Sequence, residues 1–152
     1  MGELAPGVMT ATFAKVSVEG LAQTPIALAG LADAILKQAK TNASNGSHAW
    51  GTPTPARPGE GPAQISGTLV RSLARTNVAR TATGAEVRVG TQPGVVPPYS
   101  RTPSSKYGSY LENGLKNGAR YPFLTTAFTF GVHVAAPAIY RKAYGEGWKR
   151  LA

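Results

Sequence analysis

Apolar and polar positions alternate from Thr12 to Glu19, with Ala14, Val16 and Val18 on one side and Lys15, Ser17 and Glu19 on the other. A period of two predicts a half-buried β-strand, which Gly20 ends. The period then lengthens. Leu28, Leu31, Ala32, Ile35 and Ala39 recur at steps of three and four, the apolar stripe of a helix over about 25–40. Thr24 is placed to cap it, and Pro25 suits the first turn, where a missing N–H costs nothing. Lys37 and Lys40 complement the helix dipole in the last turn.

Periodicity disappears between Asn42 and Gln64, where four prolines and four glycines (Pro53, Pro55, Pro58, Pro62, Gly46, Gly51, Gly59, Gly61) predict an extended loop. Trp50 stands within it, an aromatic that calls for a surface to dock on. Ser66 to Leu73 reads as a short helical turn capped by Ser66. A hairpin follows, with arms at about 75–80 and 85–90, a turn at Thr83-Gly84, Val87 and Val89 inward, and Glu86 and Arg88 outward. After a second Pro-rich loop, 92–103, a short helix over 105–113 places Tyr107, Tyr110 and Leu111 on one face and stops at Gly114.

The last element opens at Pro122 and is apolar on two sides. Leu124, Phe128, Val132, Ala135 and Ile139 form one stripe; Phe123, Ala127, Phe130 and Val134 form another. A helix apolar on more than one side is buried on more than one side, and in so small a domain the second surface calls for a partner. Pro137 predicts a kink or break near Ala136. The whole is an α+β domain spanning 1–152. A small antiparallel sheet, the N-terminal strand plus the hairpin, packs against the long N-terminal helix and the C-terminal helix. Long Pro/Gly-rich loops connect them, and a helical tail covers 138–152.

Charge changes the picture of partners, not of fold. The formal net charge is +9 and the isoelectric point near 10.2, which raises nucleic acid as a partner. The arginines are dispersed with no basic run, so the positive face has to be built by folding. Arg71, Arg75, Arg80 and Arg88, in and around the hairpin, are the candidates for DNA or partner contact. No segment approaches the roughly 20 apolar residues of a membrane span, and the N-terminus does not resemble a secretory signal. A protein kept in the cytoplasm until it joins an assembly is the expectation.

Candidate chemistry is sparse. There is no cysteine, and the two histidines, His48 and His133, lie far apart in the chain, one in a loop and one in an apolar helix. The acids Glu3, Glu19, Asp33, Glu60, Glu86, Glu112 and Glu146 never fall at metal-binding spacing. Neither a Gly-x-Ser-x-Gly elbow nor a phosphate-binding Gly-Lys-Ser/Thr loop occurs. Ser72 or Ser104 could act as a nucleophile only with a base brought from elsewhere. The expectation is a protein that is not an enzyme and uses no cofactor and no metal.

Three short constellations, in order, carry a resemblance: Gly67-x-Leu69-x-x-Ser72, with the serine read as outward; Tyr107-x-x-Tyr110-Leu111-Glu112-x-Gly114; and Tyr121-Pro122-Phe123-Leu124-x-x-Ala127. Together they resemble the tail-completion, or neck, proteins of long-tailed double-stranded DNA bacteriophages, over about 21–140. The resemblance implies a structural virion subunit that forms a ring, most simply a hexamer, at the head–tail junction. It would join a head-side connector or stopper to the tail terminator or tail tube, and line the channel through which genomic DNA leaves. Tail terminators and head-side connectors are neighbouring alternatives, and a basic nucleic-acid-binding module is the competing class. The implied location is the virion, with assembly in the host cytoplasm.

Under the resemblance the subunit-interface candidates are Trp50, Tyr107, Tyr110, Glu112, Phe123, Phe128 and Phe130. Glu112 is read as a surface residue, either simply solvated or ion-paired with Arg71, Arg120 or an arginine of the next subunit. An exposed pair contributes only about 0–1 kcal/mol. Glu112→Gln is therefore expected to leave the melting temperature nearly unchanged.

Overall fold

The computed structural model describes residues 11–12, 23–46, 57–62, 66–82, 84–98 and 100–144. The elements in chain order are β1 (Ala11–Thr12), α1 (Gln23–Asn42), α2 (Thr68–Ser72), β2 (Leu73–Arg75), β3 (Ala79–Thr81), β4 (Gly84–Glu86), β5 (Arg88–Thr91), α3 (Ser104–Asn113) and α4 (Leu124–Phe130). A π-helical turn, Gly131–Ala135, joins α4 to α5 (Ala136–Tyr144). The fold is mixed α+β, as the periodicities predict. Of the expected strand over 12–19 only Thr12 falls among the described residues; Trp50 and the tail beyond Tyr144 lie outside them.

The stripe of α1 is the centre of the core: Leu28, Leu31, Ala32, Ile35 and Ala39 are all buried. The helix starts two residues earlier than expected, so Thr24 is a buried residue of its first turn and not its cap. Antiparallel strands cover one side of α1 in the order β1-β5-β2, and the C-terminal helix covers another. Val87 and Val89 point inward and are fully buried, the alternation expected of the second hairpin arm.

The hairpin is interrupted by a bulge. Arg75 pairs with Val89 and Ala79 with Glu86, so three residues of one arm (76–78) face two of the other (87–88). The extra residue divides the hairpin into the β2–β5 ladder, which packs on α1, and the β3–β4 ladder, whose β3 is wholly exposed. Thr76 repairs the break: its N–H donates to the Arg88 carbonyl at 2.9 Å, and its hydroxyl accepts the Arg88 N–H at 3.0 Å. Gly84 is the first residue of β4, not part of the turn, and Thr83 is outside the described residues.

The C-terminal helix lies antiparallel to α1. Asn42, at the end of α1, donates through Nδ2 to the Phe123 carbonyl at 3.1 Å and to Thr126 Oγ1 at 2.9 Å. Further along, Gly131 meets Ile35, and Gly30 meets Ile139. Pro137 does not break the helix. It lacks an N–H and crowds the carbonyl four residues back, and the π turn immediately before it widens the spiral to accommodate both defects. The turn also shifts the helical faces. Val132, expected in one stripe with Ala135 and Ile139, is exposed, while Gly131, Ala135 and Ile139 face the core.

The far end of the 42–64 loop is tied down. The Gly59 N–H donates to the Arg120 carbonyl at 2.8 Å, and Gly61 runs so close to the end of α1 that a Cβ there would stand 1.9 Å from the Asn42 carbonyl oxygen.

Candidate interaction surfaces

The three constellations meet in space. Gly67, at φ 70°, adopts the left-handed conformation that starts α2. Ser66 Oγ accepts the Thr68 N–H at 3.2 Å, so its hydroxyl does serve the start of this helix. Gly108 of α3 fits between Leu69 and Phe123: a Cβ on it would lie 3.3 Å from Leu69 Cδ1 and from Phe123 Cζ. Ser72 is not outward. It is fully buried, donates its hydroxyl to the Leu69 carbonyl at 2.7 Å, and receives the Gln92 N–H on its own carbonyl at 2.7 Å. Ser104 is buried as well, at the start of α3.

Glu112 corrects the sequence expectation most sharply. Its side chain is 6% exposed and turned inward. Oε1 accepts the backbone N–H groups of Phe123 at 2.8 Å, of Leu124, and of Thr125 at 3.3 Å; Oε2 accepts the Thr125 hydroxyl at 2.9 Å. These are the orphan donors of the first turn of α4, where a negative charge also meets the positive end of the helix dipole. Among the described residues Glu112 forms no ion pair with Arg71 or Arg120. Phe123 likewise lies inside the subunit, fully buried beneath Gly108, and Phe128 is half-buried against the core.

Two faces remain outside. On the C-terminal helix Phe130, Val132 and Val134 are exposed, Val134 by 59%. His133 is exposed among them, which sets aside a core role for it. On α3 the exposed side chains are Lys106, Tyr107, Tyr110 and Asn113, while Ser104, Ser105, Gly108, Leu111 and Glu112 form the buried side. Tyr107, one turn before Leu111, borders the buried side and is 41% exposed, while Tyr110 is turned further out and Leu111 is buried. Burial of the phenol, and then the neighbouring Tyr121, push the Tyr107 pKa above its ordinary 10.0, so its hydroxyl stays a donor through the neutral range.

Two of the four candidate arginines are neutralised within the chain. Arg75 forms a forked pair with Asp33 of α1, Nε to Oδ1 at 2.5 Å and Nη2 to Oδ2 at 3.2 Å. Arg88 pairs with Glu86 two residues away at 2.5 Å. Arg71 is exposed and donates to Thr68 Oγ1 at 3.2 Å, and Arg80 is exposed on β3. Among the described residues no cluster of three or more His, Asp or Glu side chains could hold a metal ion, and no helix is long and apolar enough to cross a membrane. What the geometry offers is surface for binding. Comparison with protein-family models, curated proteins and solved structures gives no match for the chain.

Proposed function

We propose that the chain is a structural subunit that assembles into a ring at the head–tail junction of a long-tailed bacteriophage. The observation that carries this reading is the exposed apolar strip of Phe130 and Val134, with Val132 exposed on the other flank, on a helix whose inner side is already packed against α1. A subunit that closes a ring needs two different adhesive surfaces, because each copy offers one to its neighbour before it and the other to the neighbour after it. The strip is one. Among the described residues Ile26 at the start of α1 and Val96 in the 92–103 loop are further exposed large apolar side chains, and each is a candidate for the second.

The order of the three constellations supports the same class. Their meeting around Gly108 and Glu112 gives those residues a shared reason to occur together: they fix the start of the helix that carries the strip. In this reading the ring joins a head-side connector to the tail terminator or tube, and DNA passes through it.

The test is the mass in solution, by light scattering, of the protein alone and after mixing with heads and tails made without it. A ring, hexameric most simply, that restores head–tail joining is the expected result. Val132→Asp combined with Val134→Asp should remove the ring while leaving the melting temperature within about 1–2 °C, since exposed substitutions change stability by roughly 0.5 kcal/mol or less. A wild-type protein that stays monomeric and ignores both partial particles overturns the reading.

A further inference from the structure

The acids of the described residues are all engaged within the chain. Asp33 and Glu86 are paired with arginines, Glu112 is buried as a helix cap, and Glu60 also has a partner. Between residues 100 and 121 Glu112 is the sole acid, and it is turned inward, while Arg101, Lys106, Lys116 and Arg120 are all exposed. Among the described residues no salt bridge involves any of these four. They are arranged about one helix. Lys106 lies on the outer face of α3 beside Tyr107 and Tyr110, which is 45% exposed. Arg101 precedes the helix, and Lys116 and Arg120 follow it, with the Arg120 side chain lying beside Gly114 at its C-terminal end.

We propose that this outer face of α3, with Arg101, Lys106, Tyr107, Tyr110, Lys116 and Arg120, docks against the phosphate backbone of a nucleic-acid duplex. The hairpin is the weaker candidate, because Arg75 and Arg88 each stand beside an acid, Asp33 and Glu86, whose charge offsets theirs. Ten helical residues extend about 15 Å, comparable with the ~12 Å width of a major groove. Cations at both ends of α3 therefore reach phosphates on opposite sides of a groove. The Tyr110 hydroxyl between them is a phosphate donor, a contact that positions without reading sequence. An acidic protein surface is less well matched, since its carboxylates do not recur at a fixed spacing that both ends of one helix could meet. The strip is distinct from the apolar face assigned to the ring, and a monomer would bind through it equally.

The experiment is fluorescence anisotropy with a 20-base-pair duplex of arbitrary sequence at 50–200 mM salt. Neutralising about four phosphates gives a slope of about −3.6 in log K against log salt, roughly a hundredfold loss of affinity over that range. Lys106→Gln with Lys116→Gln, both at exposed positions, should bring the slope to about −1.8, and adding Arg101→Gln and Arg120→Gln should abolish binding. Arg71→Gln with Arg80→Gln, an equal charge change elsewhere, should leave the slope near its original value. The proposal is overturned if that control flattens the slope as much as the strip variant does. It is also overturned if the wild type binds no duplex at 50 mM salt, including the case in which it retains polyglutamate instead. Ring formation, read separately by light scattering, does not enter either outcome.

Discussion

Replacing Glu112 with alanine is expected to destabilise the protein by about 3–5 kcal/mol, a fall of roughly 6–20 °C in melting temperature for a domain of this size. The estimate follows from what the carboxylate holds. Three backbone N–H groups and one hydroxyl converge on it in a buried place. Loss of an ordinary cap costs about 1–2 kcal/mol. Here the buried Phe123 and Leu124 N–H groups lose their acceptor at once, and each unsatisfied buried group adds about 1–3 kcal/mol. Glu112→Gln is the finer test. Its amide oxygen can still accept from the helix, but its NH2 group stands where a second acceptor is required, and the charge facing the dipole is gone. A loss of about 1–3 kcal/mol is expected, against the near-zero change that a solvated Glu112 would show. Thermal melts of the two variants decide between these roles, and a glutamine variant as stable as the wild type would remove Glu112 from the cap.

That difference shows where the sequence was legible and where it was not. The stripe of α1 and the inward Val87 and Val89 could be read because burial there follows a fixed period along a contiguous segment. Glu112 caps a helix that begins twelve residues later, whereas sequence rules for caps look only one to three residues ahead. Helix α3 misleads for a different reason. Its buried side is built largely from Ser104, Ser105 and Gly108, small residues that let α2 and Phe123 approach, and an apolar periodicity does not register such a face. The bulge at Thr76 and the π turn at Gly131 each insert one residue into a regular repeat, and a period cannot announce its own interruption. The candidate surface suffered most, since after Gly131 every face of the last helix is displaced. The two expected stripes are both split: Phe128, Ala135 and Ile139 of one pack on the core while Val132 is exposed, and Phe123 and Ala127 of the other are buried while Phe130 and Val134 are exposed.

Gly131→Ala should destabilise the fold by about 1–3 kcal/mol, although alanine is the better helix former. The glycine backbone is ordinary right-handed helix, φ −56° and ψ −50°, so no conformational freedom is being used there. Space is the reason for it. A Cβ at 131 would stand 2.2 Å from Ile35 Cγ1 and 2.4 Å from Cδ1, and Ile35 is fully buried, with no solvent into which it can swing. In an exposed helix the exchange would gain about 1 kcal/mol; here that gain is overridden by the clash or by the helices moving apart. Ile35→Ala alone should cost about 2–5 kcal/mol by leaving a cavity. Combined with Gly131→Ala it should cost less than the sum of the two by at least about 1 kcal/mol, because the new methyl occupies part of the space the isoleucine vacated. Strict additivity in denaturant unfolding would mean that α1 and the C-terminal helix do not meet at this point. Leucine at 131 carries the same argument to function. It would force the C-terminal helix off α1 and turn Phe130, Val132 and Val134 out of register with a neighbour. Ring assembly should then fail even in the fraction of protein that stays folded, whereas Val134→Asp should remove the ring with no loss of fold.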